Sequence, residues 1–127
     1  MKLPTLVLHK AQIDRIELDT VYTVYDEAAQ DAAYPYVVMG EITAKDWSDK
    51  STPGQEIYST LHIWSRYAGR KEADEMGGGV LQALTRAPLS LANFNALGYF
   101  ESWDLIVDLD GITRHGILKF RYLIEEV

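Results

Sequence analysis

"YFESWDLIVDLDGITRHGILKFRYLIEEV", residues 99–127, decides the fold. Two alternating apolar runs flank Asp110-Gly111. Asp-Gly between such runs is a strong hairpin signal, because a type I′ turn needs positive φ at both central positions. With these two residues as the turn, Trp103 faces Leu118, Leu105 faces Gly116 and Val107 faces Arg114. Trp103, Leu105, Leu118, Phe120 and Tyr122 then share a predicted buried face. Asp104, Asp108, Lys119 and Arg121 share the other, where a diagonal Asp104–Lys119 pair would contribute only about 0.2–1 kcal/mol.

Upstream lies "EIYSTLHIWSR" (56–66), which also alternates. Ile57, Leu61 and Ile63 fall on one side, and Tyr58, Thr60, His62 and Trp64 on the other. "YVVMGEITAKDW" (36–47) is β-favouring by residue type, and "SDKSTPGQ" (48–55), punctuated by Pro53-Gly54, is the loop between these strands. "RKEADEMGGGVLQALTR" (70–86) carries Ala73, Met76, Val80, Ala83 and Leu84 at steps of three and four, an amphipathic helix that ends before Pro88. "LSLANFNALG" (89–98) is a connection. At the start, "LPTLVLHKAQIDRIEL" (3–18) predicts a helix with Pro4 in its first turn and Leu3, Leu6, Val7, Ala11 and Ile13 on one broad face. Residues 20–36 hold a short β-favouring piece and an alanine-rich connection. The order predicts one α+β domain over residues 1–127, an antiparallel sheet with helices on one face.

Composition narrows the function. The chain has 127 residues, 47% of them hydrophobic, enough for one core. It has no cysteine, which excludes disulfides, thiolate metal sites and a cysteine nucleophile. No apolar run approaches the roughly 20 residues of a membrane span, and the first fifteen residues do not pattern as a signal peptide. The cytoplasm is the expected compartment. Twelve Lys and Arg against nineteen Asp and Glu give a net charge of −7, the wrong sign for gripping phosphates.

The chemical motifs are thin. Gly77-Gly78-Gly79 sits inside a helical pattern with no Lys-Ser or Lys-Thr after it, so it does not fit a phosphate loop. Each glycine costs a helix about 1 kcal/mol against alanine, which suggests close packing or a bend. "DLDG" echoes part of a calcium loop, but "ITRHG" supplies none of the remaining ligands. His9, His62 and His115 are scattered, although neighbouring strands can bring the last two together. An enzymatic reading would need them to converge with Asp108 or Asp110. No catalytic residue, cofactor or metal ligand is therefore assigned. The aromatic residues gather around the first strand pair, where Trp, Tyr and Arg suit an interface as well as a core. The candidate interface comprises Trp47, Ser48, Asp49, Lys50, Pro53 and Gly54 in the loop, with Trp64 and Arg66 on and after the following strand.

Three stretches together resemble the tail-completion, or tail-terminator, family of long-tailed bacteriophages and gene-transfer particles. They are "VYDEAAQDAAYPYVVMGE" (24–41), "LHIWSRYAGRKEADEM" (61–76) and "DGITRHGILKFRYLIEE" (110–126). The likeness covers about residues 21–127. The first twenty residues fit poorly, and the triple glycine departs from the family's ordinary helix. The resemblance implies a small α+β structural virion protein without catalytic residues. It implies a six-fold ring that caps the tail tube, stops its growth and joins the head connector at the tail–head junction. The partners implied are further copies, the major tail tube protein and a head-completion or connector protein, with DNA passing through the ring unbound. Loop 44–56 would order on assembly as a clamp. The competing reading is a small cytoplasmic protein-binding or regulatory domain with no virion role.

Overall fold

The computed structural model describes residues 1–127. Its elements run α1 (Thr5–Asp19), β1 (Val24–Tyr25), β2 (Tyr36–Asp46), β3 (Gly54–Ser65), α2 (Lys71–Thr85), β4 (Phe94–Val107) and β5 (Arg114–Glu126). One five-stranded sheet has the order β1-β2-β3-β5-β4. Both helices lie on one face of it, so the fold is α+β.

Alternation explains the layers. Ile57, Ser59, Leu61 and Ile63 of β3 and Leu118, Phe120, Tyr122 and Ile124 of β5 are buried under the helices. The intervening residues Tyr58, His62, Trp64, Ile117 and Arg121 point to the opposite face, which no helix covers and where exposure is partial. Burial of a large apolar side chain contributes about 1.5–3 kcal/mol, so the covered face fixes the register. On α2 the buried stripe is Ala73, Met76, Gly77, Val80, Ala83 and Leu84.

Several expectations change. The sheet is mixed, because β1 pairs parallel to β2 through Val24↔Val37 and Tyr25↔Val38. The register of the last two strands is the one expected of a connection centred on Asp110-Gly111, with Trp103↔Leu118, Leu105↔Gly116 and Val107↔Arg114. The turn is not type I′. Asp110 has no positive φ, and only Gly111 is left-handed, at 72°. Gly111 N–H donates to Asp108 O at 2.9 Å, and Asp108 N–H donates to Thr113 O at 2.8 Å, closing a wider loop. Asp110 explains the wider loop: its carboxylate accepts from Ile112 N–H, Thr113 N–H and the Thr113 hydroxyl. These bonds hold the carboxyl down at about 2. Strand β4 also starts earlier than expected, at Phe94, and absorbs a bulge between Phe100 and Ser102. Past that bulge Lys119 stands opposite Ser102 and makes no ion pair with Asp104. The cross-strand pair that forms is Arg121–Glu56, at 2.7 Å.

The face of α1 is also different. Leu3 and Leu6 are exposed, and the buried stripe is Leu8, Gln12 and Ile16, at i, i+4 and i+8. Gln12 decides this. Its amide nitrogen donates to Ser59 Oγ and Tyr122 Oη, both at 3.2 Å, so a polar residue sits fully buried with partners. Desolvation pushes the Tyr122 phenol up to about 12. Arg15 joins the two helices by donating to the carbonyls of Ala83, Ala87 and Pro88 at the end of α2.

The triple glycine resolves into three environments. A Cβ on Gly77 would lie 2.6 Å from the far ring of Trp103, and one on Gly116 of β5 would run into the same ring. The indole therefore fills a slot between helix and sheet that exists only because both positions lack a side chain. Trp103 Nε1 donates to Asp74 Oδ1 at 3.1 Å, which fixes the ring. A Cβ on Gly79 would meet Tyr22 at 3.0 Å, while Gly78 faces open space.

Candidate functional site

The eight expected interface residues separate into two groups at opposite ends of β3. The strand runs from Gly54 to Ser65, so about 33 Å lies between the loop and Trp64 at the usual strand rise.

The first end is built by the loop after β2. Trp47 N–H donates to Gly54 O at 2.8 Å. The Ser48 hydroxyl donates to Asp46 Oδ1 at 2.7 Å, and Asp49 Oδ1 accepts from Ser51 N–H and Thr52 N–H. Those bonds hold both carboxyls below their ordinary range, Asp46 chiefly through Ser48 and Asp49 chiefly through the Ser51 amide. The loop is thus shaped by hydrogen bonds within its own segment. Lys50 and Pro53 are exposed at its surface. Gly54 is buried, and a Cβ there would lie 3.0 Å from the Trp47 carbonyl, so it closes the base of the loop.

Trp47, 46% exposed, borders an open apolar cleft of about 770 Å³. Leu89, Leu91 and Phe94 form its nearly buried floor, and Leu97, Leu123 and Val127 its margin. The chain end is tied in, since Glu126 N–H donates to Pro53 O and Val127 N–H to Asn93 O, both at 3.0 Å. Sequence reading missed this cleft. Its floor comes from a stretch taken as a connection, and the one available signal was the apolar spacing of Leu89, Leu91 and Phe94 within it.

At the other end, the uncovered face carries a linked row from β2, β3 and β5. Trp64 stacks on His115, with ring centroids 3.9 Å apart and planes at 7°. His62 Nδ1 and His115 Nε2 share a hydrogen bond at 2.7 Å, and His62 Nε2 lies 2.9 Å from Glu41 Oε1. The row is bonded throughout when His62 donates from Nε2 to Glu41 and accepts at Nδ1 from His115. Burial, and then the neighbouring His62, pushes His115 below the ordinary histidine value. The bond from His62 holds Glu41 below its own. The two histidines converge as strand neighbours, but with Glu41 and not with Asp108 or Asp110. No three His, Asp or Glu side chains meet in an arrangement that could hold a metal ion.

Arg66 is exposed just beyond Trp64. Its guanidinium lies 4.4 Å from the Tyr34 ring centre, and its Nε donates to Thr113 Oγ1 at 3.2 Å. Beside it projects the β4–β5 hairpin tip, where Val107, Leu109 and Ile112 are exposed by 57%, 104% and 59%. This apolar tip was also missed, because hairpin tips are ordinarily polar.

A family model described as tail completion protein gp17 matches residues 7–125, which takes in all of α1 after its first two residues. The tail completion protein gp17 of Bacillus phage SPP1 is 33% identical over 129 residues, covering 97% of this chain and 96% of that protein. A chain in the virion of a native gene transfer agent particle has the same fold, with TM-score 0.88 at 22% identity, covering 98% of this chain and 99% of its own. The structure of SPP1 gp17 aligns with TM-score 0.63 at 32% identity, covering 96% of this chain and 95% of its own.

Proposed function

Because this chain belongs to the tail completion protein gp17 family, we propose that it is a structural virion protein that completes the tail. In this reading copies assemble as a six-fold ring on the last layer of tail tube protein, stop its growth and join the tail to the head connector. DNA passes through the ring without specific binding, which suits a chain of net charge −7. The observation that carries the reading is the family match over residues 7–125.

The geometry supports a joining role. A joiner has to meet different partners on different sides, and exposed apolar residues are present at both ends of the sheet, Trp47 and Leu97 at one and Val107, Leu109 and Ile112 at the other. The Trp47 loop and its cleft form one end, and Trp64, Arg66 and the hairpin tip form the other. Interfaces concentrate Trp, Tyr and Arg, and contiguous exposed apolar surface marks a site of association. The 48–52 loop tip is assigned to contact with the tail tube.

Electron microscopy of particles made without the gene tests this. Overlong or headless tails are expected. Normal virions would refute the reading and leave the protein as a binding or regulatory domain with no virion role.

A further inference from the structure

We propose that the His62–His115 pair is an acid-operated latch on the uncovered face of the sheet. It keeps its bonds while it takes up one proton and opens on the second, releasing Trp64. The latch belongs to the folded single chain and does not depend on the ring reading.

The two rings stand on adjacent strands, His62 on β3 and His115 on β5, with facing nitrogens 2.7 Å apart. A hydrogen bond between them holds one proton. With Glu41 ionised, His62 keeps its proton on Nε2, 2.9 Å from the carboxylate. Its Nδ1 then accepts, His115 Nε2 donates, and His115 Nδ1 is left bare. A first proton settles on that bare nitrogen, and His115 still donates from Nε2 to His62. The added charge strengthens the bond and lies over the Trp64 ring, whose centroid is 3.9 Å away. A second proton has only His62 Nδ1 to go to. Two N–H groups would then face each other with no acceptor between them, on cations whose ring centroids are 4.9 Å apart. One ring has to leave.

The surroundings decide which. His62 lies flat against β2, where a Cβ on Gly40 would meet its Cδ2 at 2.5 Å, and Glu41 holds its outer nitrogen. His115 is held by the bond to His62 and the stack on Trp64 alone, so His115 swings away and the stack is lost. The charged and titratable groups on this face do not rescue it. Glu41 and Tyr36 come from β2, Asp104 from β4, Lys119 from β5 and Asp108 from the end of β4. Asp108 and Glu41 favour a charged His115, but burial and the neighbouring His62 outweigh them, and no carboxylate is bonded to His115. Lys119 acts on Glu41. The helices lie on the opposite face. Acid therefore changes what the Trp64 and Arg66 end of the sheet presents, from a closed aromatic row to a free indole beside an imidazolium.

An NMR titration of the full chain, labelled with nitrogen-15 and taken from about pH 8 to 4, follows the imidazole nitrogens and the ring contacts. The pair is expected to titrate in two steps at least about tenfold apart in proton affinity. Contacts between the His115 and Trp64 rings should survive the first step and vanish with the second, while the backbone amide spectrum stays folded. His62→Gln keeps an acceptor for His115 but cannot become a cation, so His115 should then titrate in one step and keep its stack through it. Steps less than tenfold apart, a stack that survives both steps, or amide signals that collapse with the second step would each overturn the latch. So would a His62→Gln protein that loses the stack at the same pH as the parent.

Discussion

Replacing the three glycines of α2 by alanine, one at a time, separates intrinsic helix propensity from packing. Alanine in a helix interior is favoured over glycine by about 1 kcal/mol. At Gly78 nothing lies within 4 Å of the added Cβ, so Gly78→Ala is expected to stabilise the protein by about 0.5–1 kcal/mol. At Gly77 the same methyl would lie 2.6 Å from Trp103. The ring cannot retreat, because its other side rests on Gly116 and its Nε1 is bonded to Asp74. Overpacking of this kind costs about 1–3 kcal/mol, and the pinned ring places it at the upper end. Net destabilisation of about 1–2 kcal/mol is expected for Gly77→Ala. Gly79→Ala meets Tyr22 at 3.0 Å, which a few tenths of an ångström relieve, and should fall near zero.

The difference between the Gly78 and Gly77 variants is thus about 1.5–3 kcal/mol. In a chain of this length that corresponds to about 5–15 °C in melting temperature. Urea unfolding and calorimetry measure it. Adding Trp103→Leu to Gly77→Ala should recover at least about 1 kcal/mol of the clash in a double-mutant cycle. Equal stability of the Gly77 and Gly78 variants, or no coupling to Trp103, would refute the slot.

Gln12→Ala strands the Ser59 and Tyr122 hydroxyls beside a cavity and is expected to cost about 2–4 kcal/mol in urea unfolding; a smaller loss in the Tyr122→Phe background would confirm the shared bond. His115 has its folded pKa lowered, first by burial, so the fold favours its neutral form. Its contribution to stability is complete above the unfolded value near 6.5 and is lost as pH falls below it. His9 is lowered by burial in the same sense, so His115→Gln should flatten, not abolish, the loss between pH 7 and 5 in parallel melting curves. Replacing residues 48–52 by Asn-Gly should leave the monomer folded by circular dichroism, since the loop's bonds are local, while tails no longer join heads. Infectious particles with normal tails from that variant would count against the loop contact.

Much of the fold is legible in the chain. Period-two alternation in 56–66 and 99–126 and the three-and-four spacing of 73–84 each name a buried face. The faces so named for β3, β5 and α2 are the buried ones. Where the pattern was weak, the reading slipped. Leu3 and Leu6 are as apolar as Leu8, but only Leu8 shares a helical face with Gln12, whose amide finds two hydroxyls on strands 47 and 110 residues away. The site was less legible still, because exposure is a property of surroundings. Leu109 and Leu118 are the same residue type on the same hairpin, one fully exposed and the other 1% exposed.

By itself the sequence determined the strands, the helices, the register of the last pair and the family resemblance, because these depend on periodicity and on residue order along the chain. Tertiary structure decided what lies across from what. The sheet order puts β5 against β3 and so brings His115 to His62, joined by a 2.7 Å hydrogen bond across 53 residues. It sets Trp103 between two glycines 39 positions apart, and it opens a cleft at one end of β4 and an apolar tip at the other. Neither periodicity nor composition encodes these, because each depends on the distance between elements that only packing sets.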